Sequence, residues 1–423
     1  MGQAMNEAKE SQDEASNPSV SNPSGTSHRS VNSQMFFYGV ACVLFWSVFL
    51  IQLPYAKEFF GGADILFYVP MVYGLSSNIS RIFVMFKHSY SIRSTGDKLR
   101  ELMIVGASVT AIGMCLLSVL MLCVGRNHAF TGFILCLIIT GIVGAFNSLL
   151  VTGGFALMSI VPKGSGQFFL LGLTATGIIT WPFIMLLRLL VSASFPTSDN
   201  AMIVSVISLV LSGALCASSI LVYWYYTMRH ELLKPQLNNS MNEASGSSLI
   251  KVWRGISTPA IAMWCARVVT FALYPGMIGL MTPSSPKFMT SDYQSFLIYM
   301  GPVSDTIGQL VYRFTLVGLH IRMRGLVWLT VVRSLVMIPL FLLSVYYNGT
   351  DSLFAQDWVR GLLMFGFSCS MGINYSAGNA IAPEMVSSPN EKYLAGIILS
   401  FVAMNGLFVG SLVGIGFKQI FTV

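Results

Sequence analysis

The 423 residues are 54% apolar and 10% charged, with a formal net charge of +7, whereas a soluble domain is roughly one-quarter charged. This balance excludes an ordinary soluble enzyme. It also argues against a nucleic-acid-binding protein, because the basic residues are spread among short loops between apolar blocks, where they read as topology signals and contacts to anionic lipid.

Residues 1–34, rich in Ser, Asn, Glu and Pro, predict a disordered cytoplasmic tail. The first apolar run starts too late and is too long for a cleavable signal, so the first span is expected to serve as its own insertion signal. Apolar blocks able to cross about 30 Å at about 1.5 Å per residue predict spans at 35–56, 64–86, 100–124, 130–160, 166–191, 200–226, 256–281, 293–317, 325–347, 357–383 and 392–420. The fold class is therefore an all-α polytopic membrane protein with eleven spans. Arg81, Lys87, Arg93, Lys98 and Arg100 are assigned to the loop after span two; Arg229, Lys234, Lys251 and Arg254 to that after span six; Arg322 and Arg324 to that after span eight. The opposite loops hold mainly Lys57, Arg126 and Lys287. The positive-inside rule then predicts a cytoplasmic N-terminus and an extracellular C-terminus. The sequon Asn348-Gly349-Thr350 falls outside, in agreement, and the one at Asn238 falls inside. The seven cysteines all lie within spans without metal-ligand spacing, which predicts reduced thiols, no metal and no cofactor.

The longest connection, MRHELLKPQLNNSMNEASGSS, separates six spans from five. The expected organisation is a tail (1–34), a six-helix bundle (35–227), a flexible cytoplasmic linker (228–255) and a five-helix bundle (256–423). Two bundles around a central path suit alternating access.

Trp46 lies halfway along span one; packing accounts for a ring at that depth, and stacking on a flat permeant is the functional alternative. Gly172 and Gly177 in span five are expected at helix contacts or gates. Arg267 lies some eleven residues into span seven, followed by Pro275-Gly276. Pro275 removes a backbone hydrogen bond and predicts a bend or break that frees carbonyls. Asp305 interrupts the apolar stretch GPVSDTIGQLVYR in span eight. Because a charge at the bilayer centre costs about 2.5–3.5 kcal/mol, Arg267 and Asp305 are expected to form an ion pair or share a water-filled cavity. Their alternative role is to fasten two helices. Arg313 is expected to snorkel to the interface, and Arg333 to snorkel or to act as a gate or clamp. There is no HExxH, GxSxG or Walker lysine, so enzymatic activity and ATP-driven pumping are not expected, and secondary transport or facilitated diffusion remains.

From span seven onward the chain resembles the equilibrative nucleoside transporter family. FALYPGM (271–277) is similar to its Phe-Pro element, Asp305-Thr-Ile-Gly308 to its DxxGR signature, and RSLVMIPLFLL (333–343) to its ninth helix. SMGINYSAGNAIAP (370–383) and LAGIILSFVAMNGLFVGS (394–411) resemble its last two helices. The N-terminal half is looser: Trp46 stands where the family has the Trp of a PWN element, and GGFALMSIVP (153–162) and LGLTATG (171–177) resemble parts of helices four and five. The resemblance covers residues 35–420 and implies a major-facilitator-like fold without the twelfth helix, carrying nucleosides or nucleobases. It also implies that Trp46 meets the base, that Asp305 accepts hydrogen bonds from the permeant, and that Arg333 sits in the cytoplasmic half. Gln309 replaces the family's arginine after DxxG, and Val151 aligns with its helix-four glutamine. Arg267 is then the substitute partner for Asp305, with Gln309 in the same binding group. A second possibility leaves Asp305 free to take up a proton and makes protons a second partner. The expected form is a monomer in the plasma membrane. A same-fold carrier of an amine or sugar and a non-transporting receptor are the competing readings.

Overall fold

A computed structural model describes residues 25–59, 65–89, 94–124, 128–161, 164–194, 200–230, 233, 249–285, 289–316 and 323–422. Most of the predicted tail and of the linker, with the Asn238 sequon, lies outside the described residues. Among those described there are eleven α-helices, one for each predicted span. They are α1 (Gly25–Phe59), α2 (Ile65–Ser89), α3 (Thr95–Val124), α4 (Ala129–Ile160), α5 (Ser165–Ser194), α6 (Asn200–Val222), α7 (Leu249–Leu273), α8 (Thr290–Val311), α9 (Met323–Tyr346), α10 (Asp357–Ile381) and α11 (Pro389–Thr422).

Eight of these contain segments long and apolar enough to cross a membrane by length and composition; α2, α8 and α10 do not. The exceptions carry the polar interior. Ser77, Asn78 and Arg81 on α2, Ser304 and Gln309 on α8, and Asn374 and Asn379 on α10 are all buried, as polar groups in a membrane bundle must be. The chain is an integral membrane protein.

Three boundaries differ from expectation. The tail does not run to residue 34, because α1 begins at Gly25. Val31, Met35, Tyr38 and Cys42, at helical spacing, are all buried. Thr227 then donates to the Gln34 side chain at 3.0 Å from the π-helical turn Tyr223–Thr227 that ends α6. The linker likewise ends early, since α7 starts at Leu249; Lys251 bonds Glu391 of α11 at 2.8 Å. Most consequential is Arg81, expected in a loop. It lies in α2, eight residues or about 12 Å from the helix end, and is fully buried.

Helices α1–α6 pack mainly through α1–α5, α3–α4, α2–α4 and α3–α6, and α7–α11 through α7–α11, α8–α10, α7–α9 and α7–α10. The two sets meet where α11 crosses α2 and α4, and where α8 crosses α5 and α1. Small residues permit these crossings. A Cβ at Gly177 would overlap Pro302 of α8, and one at Gly172 would overlap the Phe36 backbone of α1.

Helix α7 stops at Leu273, just before Pro275, and resumes as a 3₁₀ turn, Met277–Leu280. At this end of the bundle the buried Arg360 donates to the carbonyls of Thr282 (2.6 Å) and Ser344 (3.1 Å) and to Asn348 Oδ1 (2.8 Å). Asn348 Nδ2 in turn donates to Leu280 O at 3.0 Å. The amide of the Asn348 sequon is thus engaged in joining the ends of α9, α10 and the α7 extension.

Candidate functional site

A cavity of about 150 Å³ lies between the two sets of helices, lined from α1, α2, α4, α5, α7, α8, α10 and α11. Its first wall is aromatic. Trp46 stacks on Tyr73 with ring centroids 4.7 Å apart and planes inclined by 26°. Asn147, buried in α4, holds Tyr73 by donating to its hydroxyl at 2.7 Å and donates also to Cys42 O at 3.1 Å. Val151, one turn further along α4, contributes an apolar surface to the same cavity.

The opposite wall carries charge. Asp305 Oδ2 accepts from Gln309 Nε2 at 3.4 Å, one turn along α8, and its Oδ1 is buried without a hydrogen-bond partner. Arg267 lines the same cavity. Its guanidinium lies 4.3 Å over the Tyr375 ring and 5.9 Å from that of Phe271, and its Nε has no partner. No ion pair joins Arg267 to Asp305, in contrast to Lys87–Glu101, Arg188–Asp292 and Lys251–Glu391. The two residues share the cavity, and Arg267 spends its contact on the π-face of Tyr375, an attraction of about 0.5–2 kcal/mol.

Arg333 stands behind this wall. It is buried and donates to Ala266 O (2.9 Å), Thr270 Oγ1 (2.7 Å), Ser370 Oγ (3.0 Å) and Phe367 O (3.3 Å). Its guanidinium also lies 4.5 Å over the Phe367 ring. It therefore ties α9 to α7 and α10 and holds Thr270, a cavity residue. The break after α7 places another: Tyr274 lines the cavity and donates to Ile298 O at 3.0 Å. A Cβ at Gly276 would overlap the Phe67 ring, so the glycine lets this turn rest on α2.

A second cavity, of about 260 Å³, is lined by Gln167, Gln309, Arg313, Asn379, Glu384 and Lys392 among others. Gln309 links the two, since it bonds Asp305 while facing this larger space. Arg313, expected to snorkel, instead lies 4.7 Å over the Phe168 ring on the wall of the second cavity.

Contacts join the two sets of helices at both ends of the bundle. Toward the Lys/Arg-rich end, His88 bonds Tyr393 at 2.9 Å and Thr152 bonds Ser400 at 3.1 Å. Toward the other, Ser295 donates to Ile51 O at 3.1 Å and Arg188 pairs with Asp292 at 3.0 Å. The central cavity's volume of about 150 Å³ is small against the roughly 300–1,000 Å³ of sites for drug-sized ligands. Among the described residues no group of three His, Cys, Asp or Glu side chains could hold a metal ion.

The reading from sequence missed Tyr73, Asn147, Tyr375 and Arg81. Only Arg81 carried a signal, because it falls inside the predicted span 64–86 and follows the polar run Ser76-Ser77-Asn78.

Two sets of helices, eight of them in all long and apolar enough to cross a membrane, meet around a central cavity, and this is a fold of the major-facilitator type. In sequence the chain is similar to equilibrative nucleotide transporter 2 of Arabidopsis thaliana, 22% identical over 433 aligned residues that cover 92% of this chain and 95% of the relative. No protein-family model matches it. In fold it is similar to the nucleoside transporter NupG (TM-score 0.58, 14% identity, covering 93% of this chain and 92% of that one). It is also similar to the fucose:proton symporter FucP of E. coli (TM-score 0.51, 16% identity, covering 93% and 97%).

Proposed function

We propose that this chain carries nucleosides or nucleobases across a membrane by alternating access. The observation that carries the proposal is the pairing, within one cavity, of the Trp46–Tyr73 aromatic wall with an Asp305 oxygen that has no partner in the chain. A planar base stacks on such a wall. Hydroxyl or amide donors on the same permeant satisfy the carboxylate, which is expensive to leave bare. The relative named as an equilibrative nucleotide transporter and the fold shared with a nucleoside transporter support this substrate class. On this reading the Lys/Arg-rich end faces the cytoplasm, the carrier is a monomer of the plasma membrane, and the Gln309-lined second cavity is the cytoplasmic exit.

The test is uptake of labelled adenosine, uridine and hypoxanthine by cells without carriers of their own. Saturable uptake of at least one supports the proposal. Surface expression with uptake of none overturns it, and favours a same-fold carrier of another solute, a reading to which Val151 and Gln309 at the two substituted contacts would point.

A further inference from the structure

Charge near the central cavity does not balance. Asp305 interacts electrostatically with Arg267 and Arg333, whereas the ionisable neighbours of Arg81 include no carboxylate. The three arginines differ in how they are satisfied. Arg333, and Arg360 farther along the bundle, are buried but saturated by carbonyl and hydroxyl oxygens. That is how a structural arginine is held. Arg81 is equally buried, yet its Nε, Nη1 and Nη2 have no hydrogen-bond partner at all.

The nearby polar side chains donate elsewhere, and Asn78 Oδ1 is itself buried without a partner. Ser77 donates to Gly144 O at 2.9 Å, Asn78 to Met404 O at 3.4 Å, and Cys42 to Leu150 O at 3.5 Å. Its ionisable neighbours are Tyr73, Tyr375 and Cys42, none of them acidic at neutral pH. All three line the central cavity, so Arg81 stands directly behind that wall. Arg267, itself with an unpartnered Nε, lies 4.3 Å over the ring of the same Tyr375. Buried donors are rarely left without acceptors. A guanidinium offers five donors in a planar fork that matches the oxygens of a phosphate or carboxylate.

Resting on the reading of this cavity as the permeant site, we infer that Arg81 and Arg267 form an anion subsite beside Tyr375, which takes an oxyanion during the transport cycle. The oxyanion is either a phosphate group borne by the permeant or an inorganic phosphate that enters with it. Asp305, which lines the same cavity, repels such a group. Relative movement of α2 and α10, which the opening of the cavity entails, exposes Arg81 to it.

The experiment measures the thermal stability of the detergent-purified full chain against increasing adenosine, adenosine monophosphate or inorganic phosphate in gluconate buffer. Adenosine monophosphate is expected to stabilise the wild type at lower concentration than adenosine. Arg81→Lys should weaken its apparent Kd by about tenfold or more, in line with the loss of a charge-assisted bidentate contact, and Arg267→Met should act in the same direction. Stabilisation by adenosine monophosphate and not by phosphate places the anion on the permeant; stabilisation by phosphate itself makes it a companion ion. Either supports the subsite. Adenosine stabilising the protein while both phosphate compounds are inert overturns the subsite and leaves the nucleoside reading intact. The converse result overturns that reading and keeps the subsite. Response to none of the three, or an unchanged adenosine monophosphate Kd in both variants, overturns the subsite.

Discussion

Replacing Asp305 by Asn removes the negative charge while keeping the size of the side chain and one carbonyl-type oxygen. In the cavity one carboxylate oxygen takes a single weak bond from Gln309, 3.4 Å long, and the other has no partner, so the permeant is the natural source of its donors. Hydrogen bonds to a charged group contribute about 1.5–3 kcal/mol. At about 1.4 kcal/mol per factor of ten, the expected result is a fall in kcat/KM of roughly 10- to 150-fold. The amide can turn its oxygen toward Gln309, and no ion pair is broken in the described structure, so the amount of protein at the surface should not change. The assay is initial uptake of labelled adenosine over a concentration series, normalised to surface protein. Uptake by Asp305→Asn with kcat/KM within about twofold of wild type, below the smallest loss such a bond implies, would refute the assignment.

Four further outcomes follow from the same geometry. Because Arg267 and Asp305 share a cavity without an ion pair, the double reversal Arg267→Asp with Asp305→Arg should not restore uptake lost in the single reversals; recovery of transport in the double variant would contradict this. Trp46→Ala should lose stacking of about 1–3 kcal/mol, seen as a raised KM, whereas Trp46→Phe keeps a ring against Tyr73; equal kinetics in both would remove the base from this wall. Gly177→Val drives a side chain into Pro302 at the crossing of α5 and α8, and should lower thermal stability by about 1–3 kcal/mol; an unchanged melting temperature would show that this contact is not as close as described. Arg333→Lys cannot reproduce a fork that reaches two neighbouring helices and should destabilise the protein by about 3 kcal/mol through stranded carbonyls, where a wild-type melting temperature would disprove the clamp.

Where sequence reasoning went astray, charge had been read by position along the chain. Arg81 was counted with loop residues because it is close to Lys87 and Arg93 in sequence, but the side chain points into the bundle two turns before α2 ends. Residues 25–34 were read as a tail for want of apolar residues, although Val31 already belongs to the helical series with Met35 and Tyr38 that α1 buries.

The sequence by itself determined that this is an integral membrane protein and placed a helix at each of eleven positions, because runs of some twenty apolar residues have no other stable place to go and hydropathy is a local property. It also singled out Trp46, Arg267 and Asp305, because an aromatic or charged residue at mid-span departs from its immediate neighbours. Only the tertiary structure decided who partners whom. Tyr73, Tyr375 and Asn147 are unremarkable among sixteen tyrosines and many amides, and acquire their positions through helices tens to hundreds of residues apart. Whether a buried arginine is a saturated clamp, as Arg333 is, or is left with bare donors, as Arg81 is, depends on which carbonyls lie within about 3 Å of its guanidinium, and chain order does not encode that distance.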